Sequence, residues 1–406
     1  MIKYIGSKRP LIPWILEAVR AVLGARTVLD LFSGTSRVGH ALKAAGYRVL
    51  ANDHNAYAET LARCYVQADA EDVLEPAKKL VREFNALKGE PGFFTETFCV
   101  RSRFFQPKNG ARIDAIREAI ARKGLDPELE AVMLVSLMEA ADRVDSTTGL
   151  QMAYLKRWAP RSYNDLELRV PNVLPRATHG KGRAFGLDAL EAAQRLEADV
   201  AYVDPPYNQH SYLGNYHIWE TLVRWDRPAV YGVACKRADV RDRRSVFNSR
   251  REAAPAIRRL LAAIRAPVII VSFNDEGFLS REQMETILRS LWGGEARVTT
   301  IEFDYKRYVG AQIGIFNPRG EKVGRVSHLR NTEFLFVVSD PGAGYPNGGR
   351  GRSGDGNRDF PGDRFGSGHG YRRRARQPAS SRSASTRSCR RPSRAVQNSI
   401  RCGSSR

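Results

Sequence analysis

Asp204-Pro205-Pro206-Tyr207 closes the apolar run Ala201-Tyr202-Val203, so a carboxylate, a rigid turn and an aromatic ring fall together at the end of an expected strand. The carboxylate and the Pro205 carbonyl can each accept a hydrogen bond from one NH2 group, and two prolines hold φ so that the turn is ready. Tyr207 adds a flat face for stacking. The set suits gripping the exocyclic amine of a planar base, although four residues fit a proline-rich turn plugged by a tyrosine equally well. In open α/β sheets, ligands lie outside the carboxyl ends of the strands, where this turn would sit.

A second constellation stands upstream. Thr27-Val28-Leu29-Asp30-Leu31-Phe32 reads as a buried strand, Ser33-Gly34-Thr35-Ser36 as a small-residue turn, and Arg37 to Ala45 as an amphipathic helix stopped by Gly46. The next strand runs from Tyr47 to Ala51 and ends in Asn52-Asp53. A turn of this kind lets a ligand approach the backbone at a helix start that favours negative groups. An acid at the end of the second strand is placed to accept from ribose hydroxyls. The loop has one glycine where a dinucleotide fold would want G-x-G-x-x-G, so alone it fits a generic βαβ crossover.

In chain order, Lys3-Tyr4-Ile5-Gly6-Ser7-Lys8, Asp30-Leu31-Phe32-Ser33-Gly34, Asp53, Gly186-Leu187-Asp188, Asp204-Pro205-Pro206-Tyr207, Val271-Ser272-Phe273-Asn274-Asp275-Glu276-Gly277 and Glu333-Phe334-Leu335-Phe336-Val337 resemble the motifs of adenine-specific DNA methyltransferases of the DNA adenine methylase class, in their alpha order. The resemblance runs from about Met1 to Ser339. It implies an α/β class I S-adenosylmethionine-dependent methyltransferase, with a Rossmann-like seven-stranded sheet and a helical target-recognition insertion. The family's K-W-x-G-x-K pattern supplies an aromatic residue and a lysine to the cofactor, and these fall on Tyr4 and Lys8, with tyrosine replacing tryptophan. Its F-x-G-x-G pattern falls on Phe32-Ser33-Gly34-Thr35-Ser36 after Asp30. Ser36 thus brings a hydroxyl and a Cβ where the second glycine is expected. The resemblance assigns Asp53 to the ribose and Asp188 to the neighbourhood of the cofactor's adenine ring, with Asp204 touching cofactor and target alike.

It also implies the reaction. A sulfonium methyl donor leaves the protein to supply mainly position and electrostatics. Acceptance of the amine hydrogens by Asp204 and the Pro205 carbonyl would make the nitrogen more nucleophilic and stabilise its developing positive charge. Within a duplex the base must first be flipped out, with Tyr207 as its platform and Pro206 completing the turn. Relatives that methylate glutamine carry N-P-P-Y, cytosine amino-methylating enzymes more often S-P-P-Y, and carbon-5 methylation needs a Cys beside a proline. None of the five cysteines here stands in a Pro-Cys pair.

Charge points to a polyanionic partner. The chain has 65 Lys and Arg against 44 Asp and Glu, a formal net charge of +21, which suits phosphate backbones. Residues 341–406 hold 15 Arg and 3 acids in a Gly/Arg/Ser-rich composition that predicts a disordered tail. That tail fits an accessory extension, or an arm tethering nucleic acid. Before it we expect a catalytic domain from 1–60 and 183–340, split by a helical insertion over 61–182. Helical periodicity in the insertion covers Glu75 to Leu87, Arg112 to Arg122 and Asp126 to Arg143. Arg101, Arg103, Lys108 and Asn109, interleaved with Phe104 and Phe105, are candidates for base or phosphate contact there, with a solvated loop docked by two phenylalanines as the alternative. Lys156-Arg157-Trp158 and Arg241-Asp242-Arg243-Arg244 are of the same kind. Farther on, the pattern predicts a helix from Tyr216 to Trp225, a strand from Pro267 to Phe273, a helix from Glu282 to Trp292, and a late antiparallel pair, Val298 to Asp304 with Glu333 to Val338. Lys306 and Arg307, after the first of these late strands, are placed to take phosphates flanking a flipped base.

Scattered histidines and unclustered cysteines show no metal-ligand spacing and suggest a reducing compartment. The start lacks a signal-peptide core, and no apolar run reaches the length of a membrane span. The expectation is therefore a cytoplasmic enzyme on double-stranded DNA, using S-adenosylmethionine and no metal, in a solitary role or beside a cognate restriction endonuclease. An RNA adenine methyltransferase and a DNA-binding protein on an inactive scaffold are the alternatives.

Overall fold

Apolar runs of four to seven residues, bounded by small or polar turns, form the centre of the molecule. The computed structural model describes residues 1–306, 315–316, 322–324 and 330–343. Seven strands make one sheet: β1 (Thr27–Asp30), β2 (Arg48–Asn52), β3 (Arg183–Phe185), β4 (Val200–Val203), β5 (Val268–Asn274), β6 (Arg297–Lys306) and β7 (Arg330–Ser339). Their spatial order is β3-β2-β1-β4-β5-β7-β6. The first five run parallel, and β7 enters antiparallel between β5 and β6, pairing Phe334 with Phe273 on one side and with Glu302 on the other. This is the class I methyltransferase sheet. Every residue of β4 and β5 is buried, as expected of central strands covered on both faces, where alternation gives way to continuous Val and Ile. Truncating Ile270, fully buried among Val28, Tyr202 and Leu335, would cost about 2–5 kcal/mol.

The crossovers are α2 (Arg37–Ala44) between β1 and β2, the segment with α7 (Ala189–Arg195) between β3 and β4, α9 (Ala253–Ala263) before β5 and α10 (Arg281–Arg289) after it; α1 (Ile12–Arg20) precedes β1. Local chemistry sets their ends. Ser280 and Gln283 form a reciprocal capping box at the start of α10.

Between β2 and β3 lie α3 (Ala56–Ala62), α4 (Ala70–Asn85), α5 (Pro107–Lys123) and α6 (Pro127–Arg143). Both α4 and α5 begin about five residues before the periodicity suggested. Pro76 sits inside α4, and the acidic residues Glu71 and Asp72 favour the helix start by their charge. Pro107 opens α5 where its missing N–H costs nothing, and Gly124, at φ +54°, ends it. Their apolar faces join one cluster, with Phe84, Phe94, Phe98, Phe104, Phe105, Ile116 and Leu137. The same cluster contains Tyr57 of α3 and Tyr216, Trp219 and Leu222 at α8 (His217–Arg224). The insertion's core is thus continuous with elements that reach the sheet. Among the described residues, no helix is long and apolar enough to cross a membrane, and no group of three or more His, Cys, Asp or Glu is arranged to hold a metal ion.

Candidate active site

The chain enters the sheet at β1, works outward to β3, then returns to the other side of β1 with β4. The carboxyl ends of β1, β2 and β4 therefore face the crevice at this switch point. Asp30 ends β1 almost fully buried, its Oδ2 accepting from Gly39 N at 3.1 Å in α2. Burial pushes its pKa up to about 7, against the hydrogen bonds from Ser33 and Gly39. Asp53 follows β2: Oδ2 accepts from Gly34 N at 3.1 Å, and Oδ1 from Asn55 N at 3.0 Å and Nδ2 at 3.1 Å. Asn52, buried beside it, donates to the Leu31 and Leu187 carbonyls and accepts from Leu187 N. One amide so fixes the ends of three chain segments, including the approach to Asp188. Asp188 caps α7 by accepting from Leu190 N at 2.8 Å.

The turn after β1 holds two left-handed residues. Gly34 adopts φ +51°, and a Cβ there would lie 3.4 Å from the Tyr4 ring. Ser36 adopts φ +58°, ψ +23°, fully buried, with its hydroxyl 3.0 Å from that of Ser33. The serine therefore keeps the backbone a glycine would take, held in a region that costs L-residues about 1–2 kcal/mol.

At the end of β4, Asp204 lies beside Lys8, whose Nζ is 3.3 Å from Asp204 Oδ1 and 3.2 Å from Glu333 Oε2. The Lys8 side chain is 6% exposed, and its Nζ lies 5.4 Å from the centre of the Tyr207 ring. Burial opposes charge on Lys8, but Asp204 and Glu333 outweigh it and hold its pKa well above the usual lysine value. Burial raises Asp204 to about 6, with Lys8 opposing and Glu333 adding to the rise. The Tyr207 ring meets Phe273 edge-on at 5.7 Å, and its carbonyl accepts from Phe278 N at 2.8 Å. Burial and the neighbouring carboxylates move its hydroxyl up to about 12, against Lys8.

These groups line one cleft of about 370 Å³, within the range of small-molecule sites. Tyr4, Lys8, Asp30, Phe32, Gly34, Asp53, Asp188, Asp204 and Pro206 all border it; Pro205 and Tyr207 adjoin through the turn. Tyr4 stacks on Tyr212 at 5.3 Å and on Tyr216 at 4.5 Å. Arg37, His54, Asn55 and Ser245 to Asn248 also line the cleft and were not singled out as site residues; with Arg243 and Arg244 of the expected basic stretch, Ser245 to Asn248 form one wall. Phe247 of this wall meets Phe32 edge-on at 5.5 Å, and Asn248 donates to the carbonyls of Asn208 and His210, tying the wall to the loop after Tyr207. Arg243 is anchored from below by Glu220, fully buried, at 2.8 Å.

Residues 4–287 match the family of D12 class N6 adenine-specific DNA methyltransferases. The chain belongs to this family. It is 31% identical over 307 residues to the type II methyltransferase M.FokI of Planomicrobium okeanokoites, covering 71% of this chain and 47% of that protein. It is 29% identical over 327 residues to the modification methylase StsI of Streptococcus sanguinis, covering 77% and 49%. With the type II methyltransferase M.NlaIII of Neisseria lactamica it shares 26% over 347 residues, 82% of this chain and 97% of the relative. The chain thus spans about half the length of the first two relatives. Membership of the D12 family implies S-adenosylmethionine as methyl donor, and the cleft fits such a group. Arg37 Nε and Asn55 Oδ1 are buried there without a partner among the described residues. Asp204 Oδ1 is likewise buried without a hydrogen-bond partner among the described residues, in ion-pair contact with Lys8 at 3.3 Å.

The D12 chain departs from the expected nucleic-acid contacts in one respect. Asn109 is fully buried, donating to the Ser162 and Asn164 carbonyls and accepting from Leu166 N. Its amide is committed to holding that segment and offers nothing to a base edge, which corrects its assignment. Phe104 and Phe105 are also fully buried. Lys108 is bound to Asp165 at 2.6 Å and to the Tyr163 carbonyl. Arg103 stacks on Trp158 at 4.8 Å and donates to the Lys156 carbonyl, so it joins the Lys156-Arg157-Trp158 stretch, beside exposed Arg101. None of these lines the cleft. Lys306 is placed by its backbone as the last residue of β6, while Arg307 and, of the tail expected over 341–406, residues 344–406 lie outside the described residues.

Proposed function

We propose that this chain transfers a methyl group from S-adenosylmethionine to the exocyclic N6 amine of an adenine flipped out of duplex DNA. The observation that carries the reading is Asp204, ending β4 in the same cleft as Asp53 and Gly34. Their sharing of one cleft supports the reading of a carboxylate acceptor for the amine next to a turn suited to a nucleoside. Bound cofactor supplies an electrophilic methyl on its sulfonium.

The protein's part is to hold and orient. Asp53 would accept hydrogen bonds from the ribose hydroxyls, Phe32, Asp188 and Phe247 would hold the purine, and Gly34 would let the amino-acid end approach the backbone. Asp204, ionised at neutral pH, and the Pro205 carbonyl accept the two N–H groups of the target amine. That acceptance localises the nitrogen lone pair and stabilises positive charge as the new bond forms. Tyr207 stacks on the base, and the Arg243 to Asn248 wall excludes water. Target choice falls to the 61–182 insertion, with Arg101, Arg103 and the Lys156-Arg157 stretch on its basic surface. The relatives' names, type II and modification methylases, support a role beside a cognate restriction endonuclease.

The test is transfer of tritiated methyl groups to unmodified duplex DNA, followed by digestion to nucleosides. Label should appear in N6-methyldeoxyadenosine and vanish in Asp204→Ala that still binds cofactor. Label confined to RNA, or to another base, would overturn the reading.

A further inference from the structure

Glu333 lies 325 residues from Lys8 in sequence, near the start of β7 and opposite Asn274 of β5. It is 6% exposed. Its Oε2 lies 3.2 Å from Lys8 Nζ, and its Oε1 accepts from Asn274 Nδ2 at 3.4 Å. Lys8 is therefore shared between two carboxylates in a buried row, Asp204, Lys8, Glu333. Such a row is a poor way to gain stability, since desolvating three charges generally offsets their attraction. Both contacts, 3.3 Å to Asp204 and 3.2 Å to Glu333, are longer than the roughly 2.7–2.9 Å of a well-made charge-assisted bond. The ammonium hydrogen-bonds Glu333 but makes only an ion-pair contact to Asp204, whose Oδ1 is buried without a hydrogen-bond partner among the described residues.

Building on the methyl-transfer reading, we infer that Glu333 is a positioning residue for the reaction: by sharing Lys8 it keeps the Asp204 carboxylate in place yet open to accept the substrate amine. Without Glu333, Lys8 pairs fully with Asp204 and competes with the amine for its lone pairs. Without Lys8, Asp204 is a buried carboxylate with no counter-charge. The other ionisable groups around Asp204 are Asp30 from β1, Tyr202 from β4, Tyr207 of its own turn and Tyr212 beyond it. None of these is a second cation, so Lys8 and Glu333 dominate. Their effects on Asp204 oppose each other: the ammonium favours ionisation and the second carboxylate disfavours it.

The two substitutions should therefore move Asp204 in opposite directions. The test follows the Asp204 carboxyl by infrared difference titration in the full chain, assigned with Asp204→Asn, alongside single-turnover methylation against pH and cofactor affinity. Glu333→Gln should shift the titration and the acid limb of the rate profile down by roughly half a pH unit or more. It should lower the plateau rate at least about tenfold, with cofactor affinity changed less than about twofold. Lys8→Met should shift the titration up, and Glu333→Asp should restore part of the rate. Loss of rate with an unmoved Asp204 titration in Glu333→Gln, or a loss wholly in cofactor affinity, would overturn the proposal. Absence of DNA labelling by the wild type would refute the methyl-transfer reading itself, while the titration still reports whether Glu333 and Lys8 govern Asp204.

Discussion

Asp204→Asn should make the fold more stable at alkaline pH while impairing the reaction. Burial raises the Asp204 pKa from 3.8 to about 6, so the folded protein holds this proton more tightly than the unfolded chain does. Each tenfold change in an ionisation equilibrium is worth ~1.4 kcal/mol, so the ionised carboxylate costs the folded state about 3 kcal/mol once pH exceeds both values. Stability from this group is full below pH 3.8 and is lost as pH rises through 6. Asparagine copies the neutral form in shape and keeps an acceptor, while Lys8 keeps Glu333. The variant should exceed wild type by up to about 3 kcal/mol at pH 8, narrowing to about 1 kcal/mol near pH 4.5. Urea unfolding followed by circular dichroism at the two pH values measures the gap, and the difference between the proteins cancels every other titration. A variant less stable than wild type at pH 8, or a gap of equal size at both pH values, would refute the reasoning.

Gly34→Ala should cost about 1 kcal/mol of stability, since a left-handed alanine loses ~1–2 kcal/mol and regains part of this from a stiffer unfolded chain. Its Cβ, beside Tyr4, should weaken S-adenosylmethionine binding roughly tenfold, or ~1.4 kcal/mol, by equilibrium dialysis. Asn109→Ala should destabilise by about 2–4 kcal/mol in urea, because two carbonyls and an amide lose their partner; DNA affinity of the folded variant should stay within about twofold. His217 is fully buried, with Nε2 on the Gln151 carbonyl at 3.0 Å and Nδ1 unpartnered among the described residues. Burial pushes its pKa down to about 3, so its stability is full above the ordinary value of 6.5 and drains as pH falls through that window. His217→Gln should flatten the decline of wild-type stability between pH 6 and pH 4 in urea titrations; an unchanged slope would show that the imidazole protonates in place.

The sheet and its helices were legible because periodicity and turn residues act locally. Val268–Asn274 reads as a central strand from composition alone, and Arg37–Ala44 as a helix from its apolar face. The convergence of Asp30, Gly34 and Asp53 on one cleft was legible for the same reason: one βαβ unit fixes all three. What escaped is whatever depends on distant packing. Phe247 sits in a segment with no period, and only the fold brings it to Phe32. Glu333 read as the first residue of a late strand, since nothing in the neighbouring sequence reveals Lys8. Asn109 misled because an amide that reads base edges and one that ties a loop are the same side chain, and burial alone tells them apart.

The antiparallel entry of β7 has a consequence for the newborn protein. Lys8 and Asp204 leave the ribosome well before Glu333, and at about 5–20 residues per second the interval from Lys8 to Glu333 is on the order of 15–60 s. Through that time the ammonium lacks its second carboxylate, and once residue 274 is made the edge of β5 stays open until β7 pairs with it. Last in sequence among the described strands, β7 is inserted between β5 and the edge strand β6, so Glu333 joins Lys8 and Asp204 only after the rest of this buried row has been made.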